Sequence, residues 1–217
     1  MRSIARGALC IFLLALPACW AQQKWEVGAL GGGGFYTNAS VTSPAGSGDV
    51  GIKPGAIVGG FLSNDMYKTL SGELRYDYQR GSLKVKSSGT EATFNGESHA
   101  IHYDFLFHFA PTGSHVRPFV SAGGGVKIYR GTGEATLTQP LSRLALLTRT
   151  YETSGLASVG AGVKVQASQH MSFRAEVHDF ITPFPKQVIA AAPGASISGI
   201  LHDIVVMGGI AFSFHDR

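Results

Sequence analysis

"AIHYDFLFHF", Ala100–Phe109, alternates: Ile101, Tyr103, Phe105, Phe107 and Phe109 fall on one face, and His102, Asp104 and His108 fall on the other. A period of two is the signature of an extended strand, because successive side chains leave its two sides. The same reading extends outward in both directions. In "LSGELRYDYQ", Leu74, Tyr76 and Tyr78 oppose Glu73, Arg75, Asp77 and Gln79. In "LASVGAGVKVQA", Ala157, Val159, Ala161, Val163 and Val165 oppose Ser158, Gly160, Gly162, Lys164 and Gln166. Each strand has one apolar face and one face of charges or glycines.

Eight such strands are predicted, starting near Trp25, Gly55, Leu70, His99, Arg117, Leu156, Met171 and His202. Short connections fall at "SNDM" (Ser63–Met66), "APTGS" (Ala110–Ser114) and "SQH" (Ser168–His170), and they alternate with long ones rich in Gly, Ser, Thr and Pro. A meander with short turns at one end and long loops at the other is the plan of a membrane barrel. Aromatic residues are read as two belts. Trp25, Phe61, Tyr67, Phe107, Phe109, Phe119, Phe173, Phe212 and Phe214 lie toward the short turns and termini, and Phe35, Tyr36, Tyr78, Tyr129, Phe180 and Phe184 toward the long loops. Amphipathic rings favour the headgroup levels of a bilayer, so the girdle is expected to include Trp25, Phe107, Phe109, Tyr78 and Tyr129. A soluble lipocalin-like binder also alternates, with its apolar face inward. The girdles, the loop asymmetry and the N-terminus favour the membrane barrel.

That N-terminus, "MRSIARGALCIFLLALPACWAQQ", has two arginines, a short apolar run and small residues, the pattern of a secretory signal peptide. Residues 1–21 are assigned to the signal and 22–217 to the barrel domain, with cleavage after Ala21 preferred to acylation of Cys19. The apolar run is too short to span a bilayer as a helix. Cys10 and Cys19 both lie in the signal, so the mature chain is read as having no disulfide and no thiol chemistry. Removing the signal takes Arg2 and Arg6 from 18 bases and nothing from 14 acids, leaving a net charge of +2, and nucleic acid is not an expected partner.

"WEVGALGGGGFY", Trp25–Tyr36, poses a different question, since glycine-rich turns bind phosphates. That chemistry needs a helix after the turn. The next residues, "TNASVTSPAGSGD", are instead a run of turn formers, and the glycine signature recurs as "VGGF" from Val58, "AGGGV" from Ala122, "GAGV" from Gly160 and "MGGIAF" from Met207. The glycines are therefore read as architectural.

At its C-terminus, "MGGIAFSF" carries Gly209 followed by Phe212 and Phe214, and "FRAEVHDF" covers Phe173–Phe180. In these stretches, and over the whole mature chain, the sequence resembles the small outer-membrane β-barrels of the OmpA and OmpX type. It departs from their final-strand pattern at Met207 and in the three residues after Phe214. The resemblance implies an all-β, eight-stranded antiparallel up-and-down transmembrane barrel with short periplasmic turns and long extracellular loops, in the outer membrane. It further implies that Gly209, Phe212 and Phe214 serve as the signal read by the barrel-assembly machinery. Outer-membrane lipid and lipopolysaccharide are expected partners, the chain is expected to be a monomer, and no peptidoglycan-binding domain is expected to follow.

An eight-stranded barrel is only wide enough to be filled by side chains, and inward glycines make room for long partners. Glu26, Glu73, Arg75, Asp77, Asp104, Lys127, Lys164, Arg174 and Glu176 are expected to form a mixed-sign cluster in the lumen, with Arg75 or Lys164 as the base facing Glu176. No catalytic, cofactor or metal site is expected. His99 and His102, three residues apart on a strand, face opposite ways, and "HMS" (His170–Ser172) lies at a short turn with no acidic partner in sight. The function read from this is structural, or one of surface interaction through the long loops. The alternatives are a lipid-modifying barrel enzyme, a small pore or a soluble binder. Leu137–Tyr151 and Val188–Ile200 are unusually apolar for external loops; the former is expected to extend the strands beyond the membrane.

Overall fold

The computed structural model describes residues 24–44, 46–134 and 139–215, so the signal peptide, both cysteines and the cleavage position lie outside the described residues. Fifteen strands succeed one another: β1 (Lys24–Tyr36), β2 (Ala39–Ser43), β3 (Gly46–Ile52), β4 (Gly55–Tyr67), β5 (Leu70–Arg80), β6 (Leu83–Ser87), β7 (Thr90–Phe94), β8 (Gly96–His108), β9 (Val116–Gly131), β10 (Ala145–Leu147), β11 (Tyr151–Gln166), β12 (Met171–Pro183), β13 (Ile189–Ala191), β14 (Ser196–Ser198) and β15 (Ile200–His215). Eight of them close a barrel in the order β1-β15-β12-β11-β9-β8-β5-β4. All its pairings are antiparallel, and β1 joins β15 in continuous register from Lys24↔His215 to Tyr36↔Asp203. No helix among the described residues is long and apolar enough to cross a membrane. The crossing elements are the strands.

Alternation sets the walls. On β8, Ile101, Tyr103, Phe105 and Phe107 are exposed on the outside, while His102, Asp104, Leu106 and His108 are buried inside. Closure leaves no free edge among these strands, which satisfies every wall segment's backbone within the barrel, as a lipid environment demands.

Two of the short turns stand where the sequence puts them, and the first does not. β4 runs on through Ser63–Met66 to Tyr67, with an irregularity in its pairing between Asp65 and Tyr67. The turn is Lys68–Thr69. Polar residues there read as a loop because Asp65 and Ser63 face the interior, where polarity belongs.

The long connections are folded. β14-β2-β3-β6-β7 form a second sheet from the first, second and fourth long loops, and β10 pairs with β13 to link the third and fourth. Ser88 and Gly89, both at positive φ, make the tight turn between β6 and β7, a geometry whose twist suits two-residue hairpins. The inward faces of these strands bury a cluster that includes Val41, Val50, Ile52, Val85, Phe94, Leu147, Ile189 and Ile197. This apolar cap rests on the barrel through Tyr129 of β9 and Leu201 of β15. The apolar character of Leu137–Tyr151 and Val188–Ile200 has its explanation here. These segments supply β10, β13, β14 and the first residues of β11 and β15, and their aliphatic side chains fill the cap; Leu137 and Thr138 lie outside the described residues.

Candidate functional site

Strand parity brings every residue of the expected lumen cluster into the barrel: Glu26, Glu73, Arg75, Asp77, Asp104, Lys127, Lys164, Arg174 and Glu176 are all buried. They are arranged in tiers. Just beneath the cap, Lys127 Nζ lies 2.5 Å from Asp203 Oδ2, and Gln79 donates to Asp203 Oδ1 at 3.2 Å. The ammonium sits 4.9, 5.5 and 5.3 Å from the ring centroids of Tyr36, Tyr129 and Phe180. Aromatic faces attract a desolvated cation.

In the next tier His102 bridges two carboxylates, Nδ1 to Asp104 Oδ1 at 3.0 Å and Nε2 to Asp77 Oδ2 at 3.2 Å. Ser158 Oγ donates to Asp104 Oδ2 at 3.2 Å and lies 3.3 Å from His178 Nδ1.

The widest ionic layer comes below. Arg75 pairs with Asp77, Glu176 and Glu73, its Nε 3.0 Å from Asp77 Oδ2. Arg174 pairs with Glu73 across the barrel and with Glu176 on its own strand, its guanidinium 4.6 and 4.7 Å from the rings of Phe61 and Phe119. Glu176 thus meets Arg75, one of its two expected partners. The other, Lys164, instead reaches Glu26 at 3.1 Å. The reason is register: Lys164 sits opposite Arg174 on β12, near the short-turn end, where Glu26 enters from β1.

At that end Arg117 meets Asp65 at 3.3 Å, and Ser71 donates to Asp65 at 2.6 Å and contacts His108 Nε2 at 2.9 Å. Sequence reading does not single out Asp203, Gln79, His178, Asp65 or Arg117 as lumen charges or their partners. Parity carried along β15 from Leu201 places Asp203 inside, and is the signal that finds it.

Glycines create the room. A Cβ at Gly59 would stand 2.0 Å from Asp77 Oδ1, one at Gly123 2.2 Å from Asp104 Oδ1, and one at Gly160 2.6 Å from His178 Nδ1. Each small residue faces a long polar one on a neighbouring strand. Among the described residues no group of three or more His, Cys, Asp and Glu is arranged to hold a metal ion.

Outside, Trp25, Phe107, Phe109, Phe212 and Phe214 are exposed, and Tyr78 faces outward, its hydroxyl donating to Glu97 at 3.1 Å. Gly209 faces inward, where a Cβ would stand 2.0 Å from the Ala29 carbonyl oxygen. Tyr129 does not belong to the girdle. It is 1 % exposed, with its hydroxyl 2.8 Å from Thr182 Oγ1. Its neighbour Lys127 points inward, and residues two apart on a strand share a face. Phe61, Phe119, Phe180 and Phe184, also read as belt residues, are likewise buried.

The barrel is similar to solved outer-membrane structures of low sequence identity. Against OprG from Pseudomonas aeruginosa the identity is 12%, with 90% of this chain and 97% of that one covered and a TM-score of 0.57. Against Neisserial surface protein A the identity is 12%, coverage 88% and 97%, and TM-score 0.52. Against a major outer membrane protein from Thermus thermophilus the values are 15%, 89% and 100%, and 0.50. These likenesses are of fold. A search of curated proteins finds no similar sequence. Residues 7–184 match the family described as "Outer membrane protein beta-barrel domain". With its closed eight-stranded wall, apolar outside and charged inside, the chain is an outer-membrane protein and belongs to that beta-barrel family.

Proposed function

We propose that this chain is a closed, non-conducting barrel without enzymatic activity, whose role is structural or one of surface recognition through its folded extracellular cap. The observation that carries this is the layer of Arg75, Arg174, Glu73 and Glu176, whose side chains join opposite walls with none of their surface left to solvent. A pore would have to break these pairs, and uncompensated buried charge is costly. Ser158, His178 and Asp104 resemble a hydrolytic set only by residue type. All three are buried in the same network, and a nucleophile needs an approach for its substrate.

The outer wall, the girdle residues Trp25, Phe107, Phe109 and Tyr78, and the final strand with Gly209, Phe212 and Phe214 suit a monomer that meets outer-membrane lipid and is delivered by the assembly machinery. Reconstitution in planar bilayers tests the reading. It predicts a flat baseline, whereas stable, reproducible conductance steps from the purified protein would overturn the closed-lumen role.

A further inference from the structure

Asn95 is the single residue between β7 and β8, so it joins the edge of the cap sheet to the barrel wall. Phe94 before it is buried in the cap cluster, and Gly96 after it opens β8. Asn95 itself is exposed, and its side chain makes no hydrogen bond among the described residues.

Its main-chain carbonyl is held firmly. The oxygen accepts the N–H of Thr132 at 2.8 Å and that of Gly133 at 3.1 Å. Gly133 comes this close because it lacks a side chain: a Cβ there would stand 2.9 Å from the Phe94 ring.

That oxygen belongs to the amide whose nitrogen is Gly96 N. When an amide nitrogen loses its proton, the charge spreads onto its carbonyl oxygen, so two N–H donors on that oxygen stabilise the anion as an oxyanion hole does. The same nitrogen can reach the Asn95 side chain through a five-membered ring, and Gly96 puts no Cβ in the way. Asn95 and Gly96 also line a groove of about 650 Å³, together with Lys53 and Arg80. The one carboxylate lining it, Glu97, is engaged by Arg130 and Tyr78, whereas Arg80 has no carboxylate within ion-pair distance among the described residues. Water enters this groove freely, and its bases favour negative charge.

We infer that Asn95–Gly96 is a self-modification site, at which the folded chain converts Asn95 to aspartate and isoaspartate. Gly96 N, its proton given up to water, bonds to Asn95 Cγ; the side-chain NH2 takes up a proton and leaves as ammonia, closing a succinimide. One water then opens the ring. Cleavage between Gly96 N and Cγ restores the ordinary main chain with an aspartate, and cleavage between Gly96 N and the Asn95 main-chain carbon leaves the chain running through Cγ, one carbon longer. The sum is an asparagine and a water giving an acid and ammonia, with nothing oxidised or reduced. Either product sets a carboxylate in the groove with Arg80 and Lys53. The isoaspartate also lengthens a one-residue link, so Phe94 and the donors on Thr132 and Gly133 cannot all keep their places, and the edge of the cap loosens. None of this depends on whether the lumen conducts or on what the cap recognises.

The test incubates the full chain, refolded in detergent micelles, at mildly alkaline pH. Peptide mapping by mass spectrometry follows the exchange of NH2 for OH at Asn95 and Asn38, and labelling with isoaspartyl methyltransferase measures the isoaspartate. Heat-modifiable migration checks folding throughout. Asn95 should convert about tenfold faster in the folded barrel than in the urea-unfolded chain, the effect of one net hydrogen bond on the barrier. Asn38, exposed and followed by Ala39, should lag behind Asn95 in the folded protein. Gly133→Ala, which forces that donor away from Phe94, should lose most of the folded-state advantage. A folded rate at or below the unfolded one, a rate unchanged in Gly133→Ala, or equal conversion at Asn38 would overturn the assignment. Protease should cut β7 of the aged protein sooner than β7 of Asn95→Asp, which carries the charge without the extra carbon; equal cutting would overturn the loosening of the cap edge.

Discussion

Asp203 is the one carboxylate within ion-pair distance of Lys127 among the described residues, at 2.5 Å, whereas the two arginines of the layer below each share more than one acid. Removing Asp203 leaves a buried ammonium with no counter-charge. Asp203→Ala should therefore cost about 3–5 kcal/mol. The double variant Lys127→Met, Asp203→Leu should recover most of it, since two apolar groups need no pairing. Urea unfolding from lipid vesicles measures both.

Glu176→Ala should be milder than Asp203→Ala. Arg75 keeps Asp77 and Glu73, and Arg174 keeps Glu73, so neither guanidinium is left bare. Replacing Lys164 should give no relief, because that base is engaged with Glu26. Double-mutant cycles on the same unfolding assay resolve the couplings.

The outward wall predicts a depth-dependent penalty. Val163, well past the middle of β11, lies toward the periplasmic end; Val177 sits at the centre of β12 and is exposed on the outside, beside Val206. Val177→Arg should cost about 2–4 kcal/mol in a bilayer, the range for a cation on the lipid face near the midplane. Val163→Arg should cost less. A reversed order in vesicle refolding would contradict this placement of the midplane.

Two glycines on neighbouring strands give opposite expectations. At Gly125 a Cβ would stand 2.1 Å from the Ile101 carbonyl oxygen, while at Gly155 it would meet open space. Gly125→Ala should destabilise by about 1–3 kcal/mol through forced separation of β8 and β9. Gly155→Ala should be neutral or slightly favourable. Thermal midpoints in detergent distinguish them.

The cap should melt without the barrel. Val85 is fully buried in the cap cluster, so Val85→Asp places a lone charge there. Protease should then cut the long loops of the folded protein while heat-modifiable migration is retained. Resistance of the loops in this variant would show that the cluster does not hold them.

The eight wall strands are legible in the sequence because a bilayer imposes apolar residues on the outer face, while the inner face is mostly polar or small, with Phe61, Leu106 and Phe119 among its apolar members. Misreadings arise where that rule is set aside. Tyr129 reads as a belt residue by its chemistry, although Lys127, two places before it, already points inward. Ser63–Met66 reads as a turn by its polarity, although Asp65 faces inward to meet Arg117. Pairings such as Lys164 with Glu26 depend on which residues stand at the same height, and sequence periodicity carries no height. The cap is hidden for another reason: its strands are three to seven residues long, and beyond the local hairpins β2–β3 and β6–β7 its pairings join different loops, as when Ile197 meets Val41, so no local pattern announces the sheet as a whole.

Because all four long loops donate to a single apolar cluster, none of them is an independent unit at the cell surface. An insertion or epitope placed within β2, β6, β10 or β13 disturbs its neighbours as well. Freedom to change is left to the tips, such as Ser88–Gly89 and Gly194, where positive φ marks the turn and a Cβ meets little. An antibody that binds this surface across its strands would recognise a shape assembled from distant parts of the chain, and loop peptides presented singly would be poor substitutes for it.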